Sequence, residues 1–431
     1  MPFYLWAARR QGIMRRLTLA RDSATEAPDE RYRPMAWAQI AIAAAIVGVL
    51  AGAFFTVGFG GGSLANYEYS LMRWQAETTP GALARLVGID LRREHEASDE
   101  ELLRRYFAYT TELRDELNRP DSDPERRDWL YRARDRYEVQ VEHIVRGYVG
   151  EAVEHAGLQE TLPFFSDVSV PWPPVEFRLA NPPHVLVISP RDEILRMHVH
   201  LLRQDLTMEE IERLEQVMGQ GNDVVAHIVA IGGMAAYPAM VRSDRNYWSV
   251  VETAAHEWVH HYLAFYPLGQ QWGRSQEAIT LNETVATIGG RALAEIVHEQ
   301  YPMHFPDGMD GSWVTRPARE VDFHAEMQQL RRAVDELLAQ GEIVEAETLM
   351  EATRLFLAEH GAVVRKIDQA YFAFHGAYAA RPGAVDPIGP KVQRVWELTG
   401  NDVGLFLELM RDVRNVAELD ELLRRLEALR A

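Results

Sequence analysis

The feature that most restricts the fold of this chain is a long uncharged segment near its N-terminus. No charged residue occurs from Pro34 to Tyr67, and Ala, Ile, Val, Leu and Phe dominate its core, from about Ala36 to Gly58. As a helix, this core is long enough to span a hydrocarbon layer about 30 Å thick. A buried core helix is the alternative, but an apolar run without a polar stripe is not typical of a globular helix. The sequence therefore predicts a transmembrane anchor in the lipid bilayer at residues 34–60.

The charges on either side of this segment predict its orientation. Seven arginines precede it, whereas the first basic residue after it is Arg73. The positive-inside rule then places a basic tail, residues 1–33, in the cytoplasm and the large C-terminal part outside. A cleaved signal peptide is the rival interpretation, because Ser63-Leu64-Ala65 fits a small-x-small cleavage site. The long leader and the long apolar run favour a retained anchor and a single-pass membrane protein.

Composition excludes several kinds of partner and site. The 431 residues carry a formal net charge of −19, and so acidic a chain repels phosphate backbones, which argues against nucleic acid as a partner. The chain has no cysteine, so disulfides, iron–sulfur clusters and thiolate metal sites are excluded. Any metal must therefore be bound by histidine and carboxylate side chains.

The hydrophobic pattern after the predicted anchor indicates an α+β protein that is mainly α. Helical spacing predominates in residues 61–160, which predicts a helical N-terminal subdomain. Prolines then interrupt the chain, and apolar runs such as His184–Ile188 predict the strands of a small mixed or antiparallel sheet. A second domain, residues 161–431, is predicted to contain the sheet and a buried helix in 161–266 and a helical lobe in 267–431.

One stretch of the chain carries the pattern of a metal site. The sequence His256-Glu-Trp-Val-His260 lies in an apolar run that predicts a buried helix beginning near Tyr247. On a helix, residues four apart lie on one face, so both imidazoles can reach one metal at about 2.1 Å. Glu257 lies next to them and is predicted to be the general base that activates a water molecule. The rival interpretation is an interior helix with an accidental pair of histidines.

A carboxylate further along the chain is the third predicted ligand. A second predicted helix carries Glu283, 23 residues after His260, and the gap allows a loop and a returning helix. Thr280 and Glu283 also fit a capping box, in which Glu283 would bond only a backbone N–H. Gly289 and Gly290 on the same helix allow it to pack closely against its neighbour. Two imidazoles and one carboxylate leave a fourth position for water, which is typical of catalytic zinc.

The two motifs together resemble those of a known enzyme family. HEWVH followed by Asn282-Glu-Thr-Val-Ala286 resembles the gluzincin branch of zinc metallopeptidases, whose pattern is HExxH and then NExxA. This resemblance covers roughly residues 232–294 and implies a zincin-like catalytic domain at 161–431, one Zn2+ per chain and a peptide or protein substrate. The chain departs from the pattern at Thr287, where thermolysin-like members often have Asp, and it lacks the Gly-x-Met-Glu-Asn motif of exopeptidases.

The resemblance also implies how a substrate binds. In zincins, the strand before the motif helix runs along the cleft and pairs with the peptide backbone, a form of strand addition. By resemblance, residues 232–240 take this role here, and the implied substrate-binding residues are Gly233, Met234 and Ala235.

Candidates for an oxyanion donor lie near the C-terminus. Such a donor stabilises the transition state of peptide hydrolysis by several kcal/mol, and related enzymes use Tyr or His for it. Tyr371, His375 and Tyr378 lie at helical spacing in a segment that weakly resembles bacterial putative aminopeptidases. Tyr378 and then His375 are the predicted catalytic donors, and core packing is the alternative for each.

Four other polar residues have less specific patterns. His198 and His200 alternate on one face of a predicted strand, but no carboxylate accompanies them at ligand spacing, which favours surface histidines over a metal pair. His261 points about 100° away from the motif pair on the helix, which predicts a packing or supporting role. Glu252, one turn before the motif, is predicted to lie on a solvated face.

The sequence thus predicts a membrane-anchored, extracytoplasmic zinc peptidase. A non-enzymatic, membrane-tethered binding protein with a degenerate or structural metal site is a rival, although such a site has no need for a general base such as Glu257. Zinc-dependent hydrolysis of a substrate other than a peptide is a further alternative, which the sequence does not separate from proteolysis.

Overall fold

A computed structural model describes seven stretches of the chain, which are residues 64–86, 97–162, 165–221, 223–303, 305, 321–376 and 387–430. The predicted basic tail, the predicted anchor at 34–60 and Tyr378 lie outside these stretches. Within them, no helix is both long and apolar enough to cross a membrane. This described part is mainly helical with small sheets, which confirms the predicted α+β class.

The described helices range from four to 25 residues, and most begin at a side chain that caps the first turn. The capping residues are Ser, Thr, Asp and Asn, whose oxygens accept the unpaired N–H groups of a helix start. In chain order the helices are α1 (Leu71–Leu86), α2 (Asp99–Leu117), α3 (Pro124–Asp135), α4 (Glu138–His155), α5 (Met208–Gly219), α6 (Tyr247–Leu263), α7 (Pro267–Gln270), α8 (Gln276–Gln300), α9 (Phe323–Ala339), α10 (Ile343–Glu359), α11 (Gln369–His375), α12 (Ile388–Leu398), α13 (Val403–Met410) and α14 (Val416–Ala428).

The described strands form three small sheets, with the expected mixed and antiparallel pairings. The strands are β1 (Gln159–Leu162), β2 (Phe165–Pro171), β3 (Phe177–Leu179), β4 (His184–Pro190), β5 (His198–Leu202), β6 (Val224–Ala230), β7 (Gly233–Met234) and β8 (Ala239–Val241). β1 and β2 form an antiparallel pair, and the order β5-β4-β6 is antiparallel throughout. In the mixed sheet β3-β8-β7, β3 runs parallel to β8 and β7 runs antiparallel to it.

β4 lies in the middle of its sheet and is buried on both faces, which accounts for its nearly continuous apolar sequence. Val185 and Val187 pack on one face, in a cluster that includes residues of α11 and β7. Leu186 and Ile188 pack on the other face against α5. Because successive side chains of a strand point to opposite faces, β4 joins two layers of the fold.

The largest core joins the N-terminal helices to the two helices that carry the motifs. Apolar residues of α2 and α4 pack together with those of α6, α8 and the C-terminal helices α12 to α14. Trp258, inside the motif on α6, is fully buried, and its indole N–H donates to the Pro173 carbonyl at 2.7 Å. Because α6 is enclosed by packed helices, its histidines are held in fixed positions.

Candidate metal centre

The motif helix α6 is buried except for one stripe. Its start is fixed by Asn246, whose side chain accepts a hydrogen bond from the Ser249 N–H. The stripe that is not buried runs through Glu252, His256 and His260, at the helical spacing of four residues. Both imidazoles therefore face the same accessible side, and Glu252 lies on the solvated face as predicted.

The second helix, α8, begins earlier than a capping role for Glu283 requires. Ser275 caps it by accepting a hydrogen bond from the Ala278 N–H, so Glu283 lies two turns inside the helix. The Thr280 carbonyl accepts a hydrogen bond from the Thr284 hydroxyl within the helix. The capping-box alternative for Thr280 and Glu283 is therefore wrong, and the buried Glu283 carboxylate has no helix start to bond.

Two glycines bring α8 against α6, as the sequence predicted. A Cβ on Gly290 would lie 2.7 Å from both the Cα and the backbone N of His256. A Cβ on Gly289 would lie 2.9 Å from Leu407 and 3.4 Å from Val259. The helix axes can approach this closely only because both positions lack a side chain.

The close approach brings three candidate ligand atoms together. His256 Nε2 and His260 Nε2 lie 3.1 Å apart, and Glu283 Oε2 lies 3.6 Å from the first and 3.5 Å from the second. A tetrahedral ion bound at about 2.1 Å separates its ligand atoms by about 3.4 Å. Within the described residues, these three are the group of histidine and acidic side chains that could hold a metal ion.

The chemical state of the three residues fits a cation. Glu283 Oε2 is buried and accepts no hydrogen bond in the described structure, which is costly for a carboxylate unless a cation binds it. Burial opposes ionisation of Glu283, but His260 and His256 outweigh it and hold the pKa of Glu283 well below its ordinary value. Burial likewise opposes the charge on His260, and Glu283 raises the pKa of His260 to about 9. The Glu283 carboxylate therefore attracts a positive charge, which either a proton on His260 or a metal ion can supply.

Asn282 and Trp272 support His260, and the sequence interpretation did not single out either. The Nδ1 of His260 lies 2.8 Å from the Asn282 side-chain oxygen, to which it donates a hydrogen bond. That bond keeps a proton on Nδ1, so Nε2 is the nitrogen that can lose its proton and bind a metal ion at the shared centre. The Trp272 ring packs edge-on against the His260 ring, with 5.5 Å between centroids. The position of Asn282 directly before Glu283 was the available signal for the first of them.

Glu257 lies on α6, and the strand β7 covers its side chain. Its side chain is buried, and burial raises the pKa of the Glu257 carboxyl above its ordinary value despite the opposing effect of the two imidazoles. A Cβ on Gly233 would lie 2.3 Å from Glu257 Oε1 and 2.6 Å from Thr253. A carboxylate with a raised pKa, next to the candidate metal ligands, has the properties of a general base.

β7 is the outer strand of its sheet, and one side of it is open. Met234 pairs with β8 and buries its side chain, whereas Gly233 and Ala235 are partly exposed. The Arg242 N–H donates to the Gly232 carbonyl, so the N–H and C=O of the next residue, Gly233, point away from β8. No described strand pairs with that side. An extended peptide could add there as a further strand.

The remaining predicted residues have different surroundings. The His375 ring packs against Tyr371 and Phe374 at the end of α11, and its role as an oxyanion donor stays a prediction. Tyr378 lies outside the described residues. His198 is exposed, and its ring lies 6.5 Å from that of the half-buried His200; within the described residues, the two belong to no group of three that could hold a metal ion.

His261 has a supporting role, as its position on the helix predicted. Burial lowers the pKa of His261 to about 4, so its imidazole is neutral at physiological pH. Its Nε2 lies 2.6 Å from the Ala236 carbonyl and therefore carries the proton and donates it in a hydrogen bond. The ring also packs edge-on against Tyr237. This contact ties the motif helix to the segment that follows β7.

Comparisons of the chain with protein-family models, with curated proteins and with solved structures give no match.

Proposed function

We propose that the chain is a zinc-dependent peptidase with a zincin-like catalytic domain. The observation that carries this proposal is the convergence of His256, His260 and Glu283 on one point beside the buried Glu257. The arrangement has three ligands of the types and spacing of catalytic zinc, with the accessible stripe of α6 as the side from which water and substrate enter. A structural or degenerate site would not need a buried carboxylate with a raised pKa next to its ligands.

The chain's own residues account for the steps of peptide hydrolysis. Bound zinc would polarise the scissile carbonyl and make a water molecule more acidic. Glu257, buried beside the three ligands, would accept a proton from a water molecule there and deliver it to the departing amine. The open side of β7 binds the peptide backbone, and Tyr378 or His375 stabilises the oxyanion.

The proposal includes the membrane anchor at residues 34–60, with the catalytic domain outside the cytoplasm. Leu64 is buried in the cluster that also contains residues of β4, β5 and α5. The folded part of the chain therefore begins within a few residues of the proposed anchor. Because so short a connection reaches only about 3.3–3.6 Å per residue, this side of the domain would lie close to the bilayer.

Two measurements on the purified protein test the proposal. We expect about one zinc ion per chain in both the wild type and Glu257→Gln, and hydrolysis of an unfolded protein such as casein by the wild type alone. Glu295→Gln is the matched control, because Glu295 is an exposed carboxylate on the second motif helix, α8, and it should retain full activity. Equal activity of the wild type and Glu257→Gln would refute the mechanism, and absence of zinc from both would refute the site.

A further inference from the structure

The segment between β7 and β8 is held by side chains from two different helices. Three consecutive backbone carbonyls in it each accept a hydrogen bond from a side chain. The three bonds run from His261 Nε2 to Ala236 at 2.6 Å, from Thr79 Oγ1 to Tyr237 at 3.0 Å, and from Trp74 Nε1 to Pro238 at 3.2 Å. His261 lies on α6, and the other two donors lie on α1.

These bonds meet a physical requirement of the segment. Ala236, Tyr237 and Pro238 are buried, and a buried carbonyl without a hydrogen-bond donor is costly. β7 has two residues and β8 has three, so the backbone ladder between them is too short to fix the outer strand on its own. Side-chain donors are therefore needed to hold β7 in register.

The held strand is the one that faces the general base. Gly233 approaches Glu257 so closely that a Cβ could not fit between them. His261 is one helical turn after Glu257, so the helix that carries the general base also fixes the segment that follows β7. α1 fixes the same segment with Thr79 and Trp74. A shift of β7 would change the distance between a bound peptide and the Glu257 carboxylate.

We propose that Thr79, Trp74 and His261 are positioning residues that hold β7 where an extended peptide is presented to Glu257 and the metal ligands. The proposal rests on the proposed peptidase function and adds a prediction about substrate length. A peptide that pairs with β7 depends on the position of the strand, whereas a dipeptide amide is too short to extend along it. A purely structural role for the three donors would affect both substrates alike.

Thr79 offers the sharpest test, because it lies on α1, away from both motif helices. Thr79→Val removes the hydroxyl and keeps the shape, and Thr79→Ser keeps the hydroxyl. For Thr79→Val we expect kcat/KM on an internally quenched octapeptide to fall about three- to tenfold, mainly through KM, where tenfold corresponds to about 1.4 kcal/mol. Thr79→Ser should retain the wild-type value. The dipeptide amide should be hydrolysed equally by the wild type and both variants.

A second measurement does not depend on activity. The Met234 amide belongs to the pairing of β7 with β8, so its hydrogen exchange reports how firmly the strand is held. We expect exchange about tenfold faster in Thr79→Val and unchanged in Thr79→Ser. Unchanged exchange in Thr79→Val, or equal losses on both substrates, would overturn the positioning role in an active protein. A zinc-loaded wild type that hydrolyses neither peptide would instead overturn the proposed function, and this proposal with it.

Discussion

Replacing Gly290 with alanine puts a methyl group where α8 crosses the backbone of α6. The new Cβ would lie 2.7 Å from the Cα and N of His256, whereas ordinary contact begins at 3.4 Å, so the helices must separate by about 0.7 Å. The contacted atoms belong to the backbone of a helix packed in the largest core. They cannot move aside as the end of a flexible side chain can, because protein interiors are close-packed.

Two effects of Gly290→Ala should appear together. Overpacking of this kind costs about 1–3 kcal/mol of stability. Glu283 lies seven residues, or nearly two helical turns, before Gly290 and so on the same face of α8. The displaced helix carries Glu283 away from the two imidazoles, which it now approaches to 3.5 and 3.6 Å. We expect zinc affinity to fall at least tenfold, which is about 1.4 kcal/mol.

Gly147→Ala on α4 is the matched control, because its new Cβ would meet nothing within 4 Å. In the middle of a helix this change should stabilise the protein by about 0.5–1 kcal/mol, the opposite sign. Urea unfolding of the metal-free proteins measures stability, and competition with a chromophoric chelator measures zinc affinity. The reasoning would be refuted if Gly290→Ala were as stable as Gly147→Ala and also bound zinc as tightly as the wild type. In that case, the close approach of the two helices would not determine the position of Glu283.

Three further predictions concern the site itself. Gly233→Ala should abolish peptide hydrolysis and leave zinc content unchanged, because the new Cβ would lie 2.3 Å from Glu257 Oε1; an active variant would show that β7 is not fixed beside the base. Asn282→Ala should weaken zinc binding about 10- to 100-fold, because His260 loses the acceptor that orients it; chelator competition measures this, and unchanged affinity would contradict that role. Zinc binding should release about one proton at pH 7, because zinc must displace the proton that the raised pKa of about 9 retains on His260. Zinc affinity should accordingly rise with pH up to about 9. Calorimetry in buffers of different ionisation enthalpy measures the released proton, and a binding enthalpy that did not depend on the buffer would contradict the prediction.

The two halves of the candidate site differed in how far they could be predicted. His256, Glu257 and His260 belong to one helical turn, so their geometry follows from the helix period alone. Glu283 had two interpretations, as ligand or as cap, because sequence spacing does not give the first residue of a helix to within a turn. The start of α8 at Gln276 excludes the cap, and the ligand interpretation stays a prediction.

What the sequence by itself determined is local. The absence of cysteine restricted any metal site to histidine and carboxylate ligands, and the apolar periodicity predicted the mainly helical α+β class. The glycine pair on α8 indicated a close helix contact, which the structure shows. The tertiary structure alone decided which distant groups meet, because such contacts depend on packing and not on spacing. Thr79 on α1 donates a hydrogen bond to the segment after β7, 158 positions away in the sequence. Gly233 on β7 lies directly against Glu257 on α6. No periodicity encodes such a pairing, since it exists only once a shared core has fixed the helices and strands against one another.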